Sequence, residues 1–287
     1  MDKSNLTIIE KALYGYLPST DLKEGKLIEA MRYSLEAGGK RVRPMLVLEF
    51  NKLCGGKTEA ALPFACAVEM IHTYSLIHDD LPCMDDDALR RGRPTNHVVY
   101  GECTATLAGD ALQAEAFGTI LRSALPAERK ARCAEFLADA VGLDGMCGGQ
   151  FLDMLGEGKK LSEQELADIN SRKTGALLTA ACRMGVAAGG GNEAQLEAAS
   201  LYGAAIGAAF QIRDDMLDVL GNEQELGKPI GSDAQEEKNT YMALYGAEHC
   251  SQMIEKLTAR AKDVLSGVFD DTAFLSALAD SMAVRTN

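Results

Sequence analysis

The chain contains a long internal span without proline. Its seven prolines fall at positions 18, 44, 63, 82, 94, 126 and 229, so residues 127–228 lack this helix breaker. Apolar side chains recur in this span at helical spacing, in the sets Leu177, Ala180, Ala181, Met184 and Leu201, Ala204, Ala205, Ala208. Little period-two alternation occurs anywhere. The sequence therefore predicts an all-α fold.

Short polar segments separate the predicted helices. Each is dense in the Gly, Asn, Ser and Pro that interrupt helices: NKLCGGKTE, SALPAERK, GEGKKLSEQE, AAGGGNE and VLGNEQELGKPIGS. Ser162 is followed three residues later by Glu165, a pattern typical of a capping box at a helix start. The chain has no low-complexity linker and no tandem repeat. We therefore predict a single domain over residues 1–287.

The charge balance limits what the chain can bind. The formal net charge is -13, whereas a nucleic-acid-binding protein normally carries a basic surface. An acidic chain can still bind phosphorylated ligands if metal ions or a few local basic residues supply positive charge. The composition, with 47% hydrophobic and 25% charged residues, is that of a globular protein.

The cysteines and the N-terminus indicate a cytoplasmic location. The eight cysteines form no CxxC pair and no zinc-type spacing, and most lie in aliphatic context, where a free thiol acts as a small hydrophobe. The segment MDKSNLTIIEKALYGYLP lacks the layout of a signal peptide. No apolar run approaches the roughly 18 residues of a membrane helix. We therefore expect a reducing cytoplasm and no membrane span.

Five aspartates lie within nine residues in the segment HDDLPCMDDD. Pro82 is expected to end a helix running from about residue 64, so that Asp79 and Asp80 stand at its C-terminal end. The helix dipole disfavours negative charge there, and Asp85, Asp86 and Asp87 follow on the loop. Carboxylate oxygens at this density suit Mg²⁺, which is shared between one or two carboxylates and substrate phosphates.

A second aspartate cluster lies in FQIRDDMLDVLG. At 100° per residue, one arc of about 100° on the helix holds an amide and three carboxylates: Gln211, Asp214, Asp215 and Asp218. A neighbouring face, predicted to be buried, holds Ile212, Met216 and Val219. Like charges at this spacing repel each other, so a cation should offset them. The alternative for either cluster is a solvated acidic helix end, with residues 85–87 capping a following helix.

Basic residues accompany the aspartates. They occur in EAGGKRVRP, at an expected loop-to-helix entry, and in LRRGRP, directly after the first cluster: Lys40, Arg41, Arg43, Arg90 and Arg91. Such clusters bind phosphate, Arg by planar bidentate pairing. His72 precedes Asp79 by seven residues, or two helical turns, and so shares its face. Each of these groups taken alone is also consistent with an ordinary surface or core position.

Together these motifs resemble a known family. GGKRVRP, IHTYSLIHDDLPCMDDDALRRGRPTNH, GGQFLD, RKTGALL and FQIRDDMLDVLGNEQELGKPIGSDAQEEKNTY resemble the trans-isoprenyl diphosphate synthases (polyprenyl synthetases), most closely the bacterial farnesyl and geranylgeranyl diphosphate synthases. Both DDxxxxD at 79–85 and DDxxD at 214–218 match. The resemblance implies the isoprenoid synthase fold, a bundle of about ten or more helices around a deep central cavity, in a homodimer.

The resemblance also implies an activity. It is a Mg²⁺-dependent prenyltransferase reaction, in which isopentenyl diphosphate condenses head-to-tail with dimethylallyl or geranyl diphosphate through an allylic carbocation. About three Mg²⁺ ions are expected to bridge to the allylic diphosphate. Their expected ligands are Asp79, Asp85 and Asp214, supported by Asp80, Asp215 and Asp218.

Further roles come from the same resemblance. The residues expected to bind the allylic diphosphate are Arg90, Lys173 and Lys228. Those expected to bind isopentenyl diphosphate are Lys40, Arg43, His72 and Arg91. Dipoles that favour the carbocation are expected from the catalytic groups Thr174, Gln211 and the carbonyl of Lys173.

Product length is predicted from positions along the first aspartate helix. The product grows from the diphosphates towards the N-terminus of this helix, past Ser75, one turn below Asp79. Tyr74 lies about 7.5 Å below Asp79 at 1.5 Å per residue. In the family, a bulky aromatic residue five positions before the first Asp acts as a floor. Tyr74 therefore favours farnesyl diphosphate (C15), unless its ring points into packing.

Three alternatives remain open from the sequence. A geranylgeranyl diphosphate (C20) synthase would carry the same motifs. A class I terpene cyclase would normally have an NSE-type second metal motif and needs no isopentenyl site. A non-catalytic helical subunit that modulates a partner synthase could lose carboxylates, and this chain retains them all.

Overall fold

The computed structural model describes residues 3–220 and 239–284, and these are almost entirely helical. The helices are α1 (Lys3–Gly15), α2 (Gly25–Leu35), α3 (Val42–Leu53), α4 (Thr58–Asp79), α5 (Asn96–Tyr100), α6 (Glu102–Arg122), α7 (Ala127–Val141), α8 (Met146–Gly156), α9 (Glu163–Asn170), α10 (Ala176–Gly189), α11 (Glu193–Leu220), α12 (Tyr241–Asp263) and α13 (Ala273–Val284). A π turn (Ser171–Gly175) joins α9 to α10, and a hairpin of β1 (Leu89–Arg90) and β2 (Arg93–Pro94) follows α4. The all-α prediction is confirmed.

Four of the five polar segments separate helices as predicted, and the fifth, VLGNEQELGKPIGS, lies almost wholly outside the described residues. The gaps after α3, α6, α8 and α10 each fall within one of them. At the start of α9 the Ser162 hydroxyl accepts a hydrogen bond from the Glu165 N–H at 3.3 Å. The Glu165 carboxylate accepts one from the Ser162 N–H at 2.8 Å. The predicted capping box is therefore confirmed.

Helix α4 is the central helix of the bundle. It begins at Thr58, about six residues before the expected start, and ends at Asp79 with Asp80 as its C-cap, as predicted. It packs against α3, α6 and α10. Contrary to expectation, α4 is long and apolar enough to cross a membrane by length and composition, but 72% of its most apolar window is buried inside the protein. Its apolar surface therefore serves the core.

Helices α10 and α11 approach each other through glycines. A Cβ atom on Gly203 would lie 2.6 Å from the Cα of Thr179, and one on Gly207 would lie 2.9 Å from the Cα of Gly175. Contacts below 3.0 Å cannot be tolerated against backbone atoms, so any larger residue would push the two helices apart. The small residues here allow α11 to lie directly against the start of α10.

Only part of the second helical set is covered by this close packing. In the second helical set, Leu201 and Ala204 are exposed. The buried stripe of α11 passes instead through Tyr202 and Ile206, beside the two glycines. The spacing of apolar residues along α11 defines one face of the helix, but the packing of α10 determines which part of that face is buried.

The hairpin after the first aspartate cluster was not predicted. Arg91 and Gly92 form its two-residue turn with φ angles of 54° and 74°. Positive φ at both central residues is typical of the tight turns that connect antiparallel strands. Asp85, Asp86 and Asp87 therefore lead into a hairpin, and the alternative that they cap a following helix is wrong. The hairpin fixes Arg90 and Arg91 beside the end of α4.

Candidate active site

Two adjoining cavities lie between α3, α4, α8, the π turn and α11. We call the first the main cavity; it has a volume of about 480 Å³. Nine of the residues singled out from the sequence line it: Arg43, His72, Tyr74, Ser75, Asp79, Lys173, Thr174, Gln211 and Asp214. Apolar wall residues that the sequence analysis did not single out are Met84, Met146, Phe151, Met154 and Phe210. Carboxylates, cations and apolar groups thus meet in one space.

We call the second space the basic cavity; it has a volume of about 490 Å³. The four residues expected to bind isopentenyl diphosphate all line it: Lys40, Arg43, His72 and Arg91. Arg43, His72 and Phe210 line both cavities, so the two spaces adjoin. Met282 of α13 also lines the basic cavity, which gives the C-terminal helix a position at the site that the sequence did not indicate.

The first aspartate pair is divided between two environments. Asp79 lines the main cavity, and burial raises the pKa of its carboxyl to about 6, against the opposing charge of Lys173. Asp80 is buried and accepts a hydrogen bond from Nε of Arg90 at 2.5 Å. Burial raises the pKa of Asp80 to about 6, although Arg90 favours its ionised form. Asp79 is therefore the member of the pair that faces the cavity.

A chain of hydrogen bonds fixes the side-chain amide of Gln211 on α11. The Thr174 hydroxyl donates to Oε1 of Gln211 at 2.8 Å, and Nε2 of Gln211 donates to Oδ1 of Asp215 at 3.0 Å. The other oxygen of Asp215 accepts the backbone N–H of Tyr241 at 2.7 Å. The orientation of the Gln211 amide in the main cavity is thus set by Thr174 on one side and Asp215 on the other.

The rest of α11 follows the helical wheel except at one position. Asp214 lines the main cavity, while Asp218 is buried and lines neither cavity. Ile212 and Met216 are buried as predicted. Val219 is 53% exposed, which contradicts the prediction that it packs inward; it lies on the last turn of α11 (Glu193–Leu220), where Leu220 is exposed as well.

The π turn presents Lys173 and Thr174 to the main cavity. Single π turns interrupt α-helices frequently at functional sites, since the wider turn shifts the side-chain register. The Lys173 ammonium forms an ion pair with Oδ2 of Asp153 at 2.6 Å. Asp153 is the last residue of GGQFLD, a motif that carried the resemblance without a role for this residue. The carboxylate of Asp153 therefore fixes the position of the Lys173 ammonium.

A buried ion pair supports the basic cavity from behind. Arg41 adopts a left-handed backbone conformation, with φ of 49°, directly before α3. Its guanidinium donates to Oε1 of Glu69 and to the carbonyl of Leu35, both at 2.6 Å, and is fully buried. The loop that carries Lys40 and the first turn of α3, which carries Arg43, are therefore anchored to α4. Arg41 was expected to be one of the phosphate-binding cations, and the sequence pattern indicated no role for Glu69.

Cations surround His72 in the basic cavity. Burial lowers the pKa of His72 well below its ordinary value, and the charges of Arg43, Arg91, Arg90 and Arg41 lower it further. Arg91 is held across the loop by a hydrogen bond to the carbonyl of Gly38. A neutral imidazole can donate one hydrogen bond and accept another without adding to the positive charge of the cavity.

This environment predicts a pH dependence that can be isolated by substitution. Between the lowered pKa of folded His72 and its ordinary value near 6.5, the unfolded chain binds a proton that the folded chain does not. Relative to His72→Gln, the wild type should lose up to about 1.4 kcal/mol of unfolding free energy per pH unit below pH 6.5. Urea unfolding of both proteins in metal-free buffer measures this; a constant difference would show that His72 titrates normally.

Five expected site residues within the described part of the chain line neither cavity: Asp80, Asp85, Arg90, Asp215 and Asp218. Asp85 is exposed on the loop, where its backbone N–H donates to the Asp79 carbonyl at 2.9 Å, and Arg90 pairs with Asp80 and Asp87. Asp215 supports Gln211, as described above. Lys228 lies outside the described residues.

The carboxylates fit Mg²⁺ as a shared ligand set. Within residues 3–220 and 239–284, no three side chains of His, Cys, Asp or Glu converge to hold a metal ion by themselves. Mg²⁺ typically binds one or two carboxylates and fills its remaining positions with phosphate oxygens and water. Asp79 and Asp214 in one cavity supply such oxygens, and a cation would favour the ionised form that burial of Asp79 disfavours.

The fold and the site together define a class of protein. A helical bundle with carboxylates and cations beside a partly apolar cavity suits an apolar ligand with an anionic head. Comparison with known proteins agrees. Residues 24–267 match the family model for polyprenyl synthetase. Farnesyl diphosphate synthase of Bacillus subtilis is 42% identical over 280 residues, which are 96% of this chain and 94% of the relative.

Other relatives are named for a different product, geranylgeranyl pyrophosphate. The large subunit 1 of the chloroplastic heterodimeric geranylgeranyl pyrophosphate synthase of Arabidopsis thaliana is 46% identical, covering 98% of this chain and 77% of the relative. The crystal structure of geranylgeranyl pyrophosphate synthetase from Pyrococcus horikoshii matches with a TM-score of 0.88 and 32% identity, covering 99% and 97% of the two chains. The chain therefore belongs to the polyprenyl synthetase family and is a short-chain prenyltransferase with the all-α fold of isoprenyl synthases.

Proposed function

We propose that this prenyltransferase makes farnesyl diphosphate (C15) from isopentenyl diphosphate and dimethylallyl or geranyl diphosphate. The observation that carries the proposal is the position of Tyr74. Its side chain is 4% exposed and lines the main cavity together with Asp79. Tyr74 and Asp79 lie five positions apart on α4, or about 7.5 Å along the helix, so the ring would block a chain that grows away from Asp79. Ser75 lines the same path.

Mg²⁺ is the metal we propose for the site, with three ions per active site. Asp79, Asp85 and Asp214 would hold the ions. Asp80, Asp215 and Asp218 would support these ligands through the contacts of their own buried carboxylates. The bound metal would neutralise charge on the departing pyrophosphate.

The cations are assigned to two diphosphates. Lys40, Arg43, His72 and Arg91 line the basic cavity and would bind isopentenyl diphosphate. Lys173, Arg90 and Lys228 would bind the allylic diphosphate. The ion pair of Lys173 with Asp153 and that of Arg90 with Asp80 keep these two cations near the main cavity. Cations placed where charge develops stabilise the leaving group more than the bound substrate.

The carbocation needs a different environment. The Thr174 hydroxyl oxygen, the Gln211 amide and the Lys173 carbonyl would face the cation with their negative dipole ends, after which the isopentenyl double bond attacks it. The product then loses one proton, which the released pyrophosphate can accept. Apolar wall residues such as Phe210 and Met84 exclude water, which would trap the cation as an alcohol.

Product analysis tests the proposal. Purified protein is incubated with dimethylallyl diphosphate, isopentenyl diphosphate and Mg²⁺, with an EDTA control, and the dephosphorylated products are separated by length. A metal-dependent C15 product supports the proposal. A C20 product would retain the chemistry and contradict the role of Tyr74. No elongation by a folded protein would favour a cyclase or a non-catalytic subunit.

A C20 product is the second candidate, because relatives named for geranylgeranyl diphosphate are as similar to this chain as those named for farnesyl diphosphate. The same assay distinguishes them. With geranyl diphosphate as starter, one condensation gives C15 and two give C20, so the product ratio at long incubation measures where elongation stops.

We also infer a homodimer. Large apolar side chains that line neither cavity are exposed on α5, α6 and α8: Val98, Val99, Leu107, Leu121 and Leu155. A contiguous exposed apolar surface typically marks a protein interface, and we propose that these side chains meet a second copy of the chain. Light scattering of the purified protein should give twice the mass of the chain. The eight free cysteines, three of them exposed, support a reducing cytoplasm, which cell fractionation would test.

A further inference from the structure

Tyr74 is held in place by a residue from another helix. Its hydroxyl lies 3.5 Å from the sulfur of Cys147, the second residue of α8, and the two groups share a hydrogen bond in which either can donate. Both side chains line the main cavity. The contact spans 73 residues of sequence. The ring that would limit product length is thus fixed from α8 as well as from α4.

The other side of the Tyr74 ring meets His78. The two rings pack edge to face with centroids 5.6 Å apart and an interplanar angle of 76°. His78 has little freedom of its own, since its Nε2 lies 3.0 Å from the carbonyl of Thr106, and a Cβ on Gly109 would be 2.1 Å from the same nitrogen. The contact with His78 thus holds the ring from within α4, and the contact with Cys147 holds it from α8.

We propose that Cys147 is a second residue that determines product length, because its thiol keeps the Tyr74 ring across the main cavity. The proposal rests on the proposed function, in which Tyr74 is the floor. With the thiol present, turning the ring aside breaks the hydrogen bond and must displace the sulfur. Without it, the hydroxyl loses its partner and the ring gains space on the α8 side. A longer chain can then pass.

The first test removes the thiol. Cys147→Ala should raise the ratio of C20 to C15 product by about fivefold, the factor expected for the loss of one modest hydrogen bond. Cys147→Ser retains a hydrogen-bonding group and should stay close to the wild type. Cys103→Ala is the matched control, since Cys103 is exposed on the first turn of α6 and lines neither cavity.

The second test removes the other partner. Tyr74→Phe keeps the ring but loses the hydroxyl, so it should raise the C20 to C15 ratio by about the same fivefold factor. The double variant Tyr74→Phe with Cys147→Ala should show no further increase, because both substitutions break one contact. Two independent packing effects would instead multiply to roughly 25-fold, and that result would overturn the shared contact.

The outcomes separate this inference from the proposed function. If Cys147→Ala gives the same products as Cys103→Ala while Tyr74→Ala lengthens the product, the role of Cys147 is overturned and the floor stands. If Tyr74→Ala also makes only C15, the floor itself is wrong. Product length is the required readout, because a merely structural role of Cys147 would change stability or yield and leave the ratio unaltered.

Discussion

Asp79→Ala and Asp214→Ala should each lower kcat by at least about a thousandfold, with the helical fold intact. The two carboxylates line the same cavity from α4 and α11, which lie 135 positions apart in sequence. Each would supply oxygen ligands to Mg²⁺ at the departing pyrophosphate, where charge develops only as the C–O bond breaks. The loss should therefore fall mainly on kcat and much less on the stability of the protein.

The environment of Asp79 explains why the fold should survive. Burial raises its pKa to about 6, so the carboxylate that is ionised near neutral pH is less stable in the folded, metal-free protein than in the unfolded chain. Replacing it removes a group that costs stability in that state. Circular dichroism should show unchanged helix content, and the unfolding temperature without Mg²⁺ should stay the same or rise.

Asp86→Asn is the matched control for the aspartate variants. Asp86 is exposed on the same loop, lines neither cavity and has a φ of 51°, which Asn adopts more readily than most residues. It should retain the wild-type rate. Steady-state kinetics over a range of Mg²⁺ concentrations completes the test. A folded Asp79→Ala or Asp214→Ala protein with near-native kcat at ordinary Mg²⁺ would remove that residue from the mechanism.

The sequence was informative about features that depend on neighbours along one helix. The aspartate spacings, the end of α4 beside Asp80 and the capping box at Ser162 all follow from helical geometry and from the chemistry of single residues. The grouping of Lys40, Arg43, His72 and Arg91 in one cavity came from the family resemblance, which carries information about a fold that spacing alone does not contain.

Contacts between distant elements could not be predicted. The ion pair of Lys173 with Asp153 joins the π turn to α8, and the hydrogen bond of Asp215 to the Tyr241 N–H joins α11 to α12. The residues around Asp153 and Tyr241 do not indicate these contacts. Helical spacing shows which residues share a face of one helix, but it does not show which other helix packs against that face. Val219 shows the same limit: its position on the wheel was read correctly, but in the described structure it is largely exposed.

Tyr74→Ala should change the main product from C15 to C20. The substitution replaces a buried ring that lines the main cavity with a methyl group, and the chain that grows from Asp79 towards the N-terminus of α4 then meets open space. The chemistry at the carboxylates is about 7.5 Å away and should be unaffected, so kcat for the first condensation should stay within about threefold of the wild type.

The variant carries a stability cost that the experiment must allow for. Truncating a buried aromatic residue to Ala typically costs about 3–5 kcal/mol, so products should be analysed well below the measured unfolding temperature. Tyr245→Ala on α12 is the control, since it removes a partly buried tyrosine that lines neither cavity. It should still make C15. If a folded, active Tyr74→Ala protein also stops at C15, the ring does not limit elongation, and another part of the cavity wall, such as Phe151 or Met154, must do so.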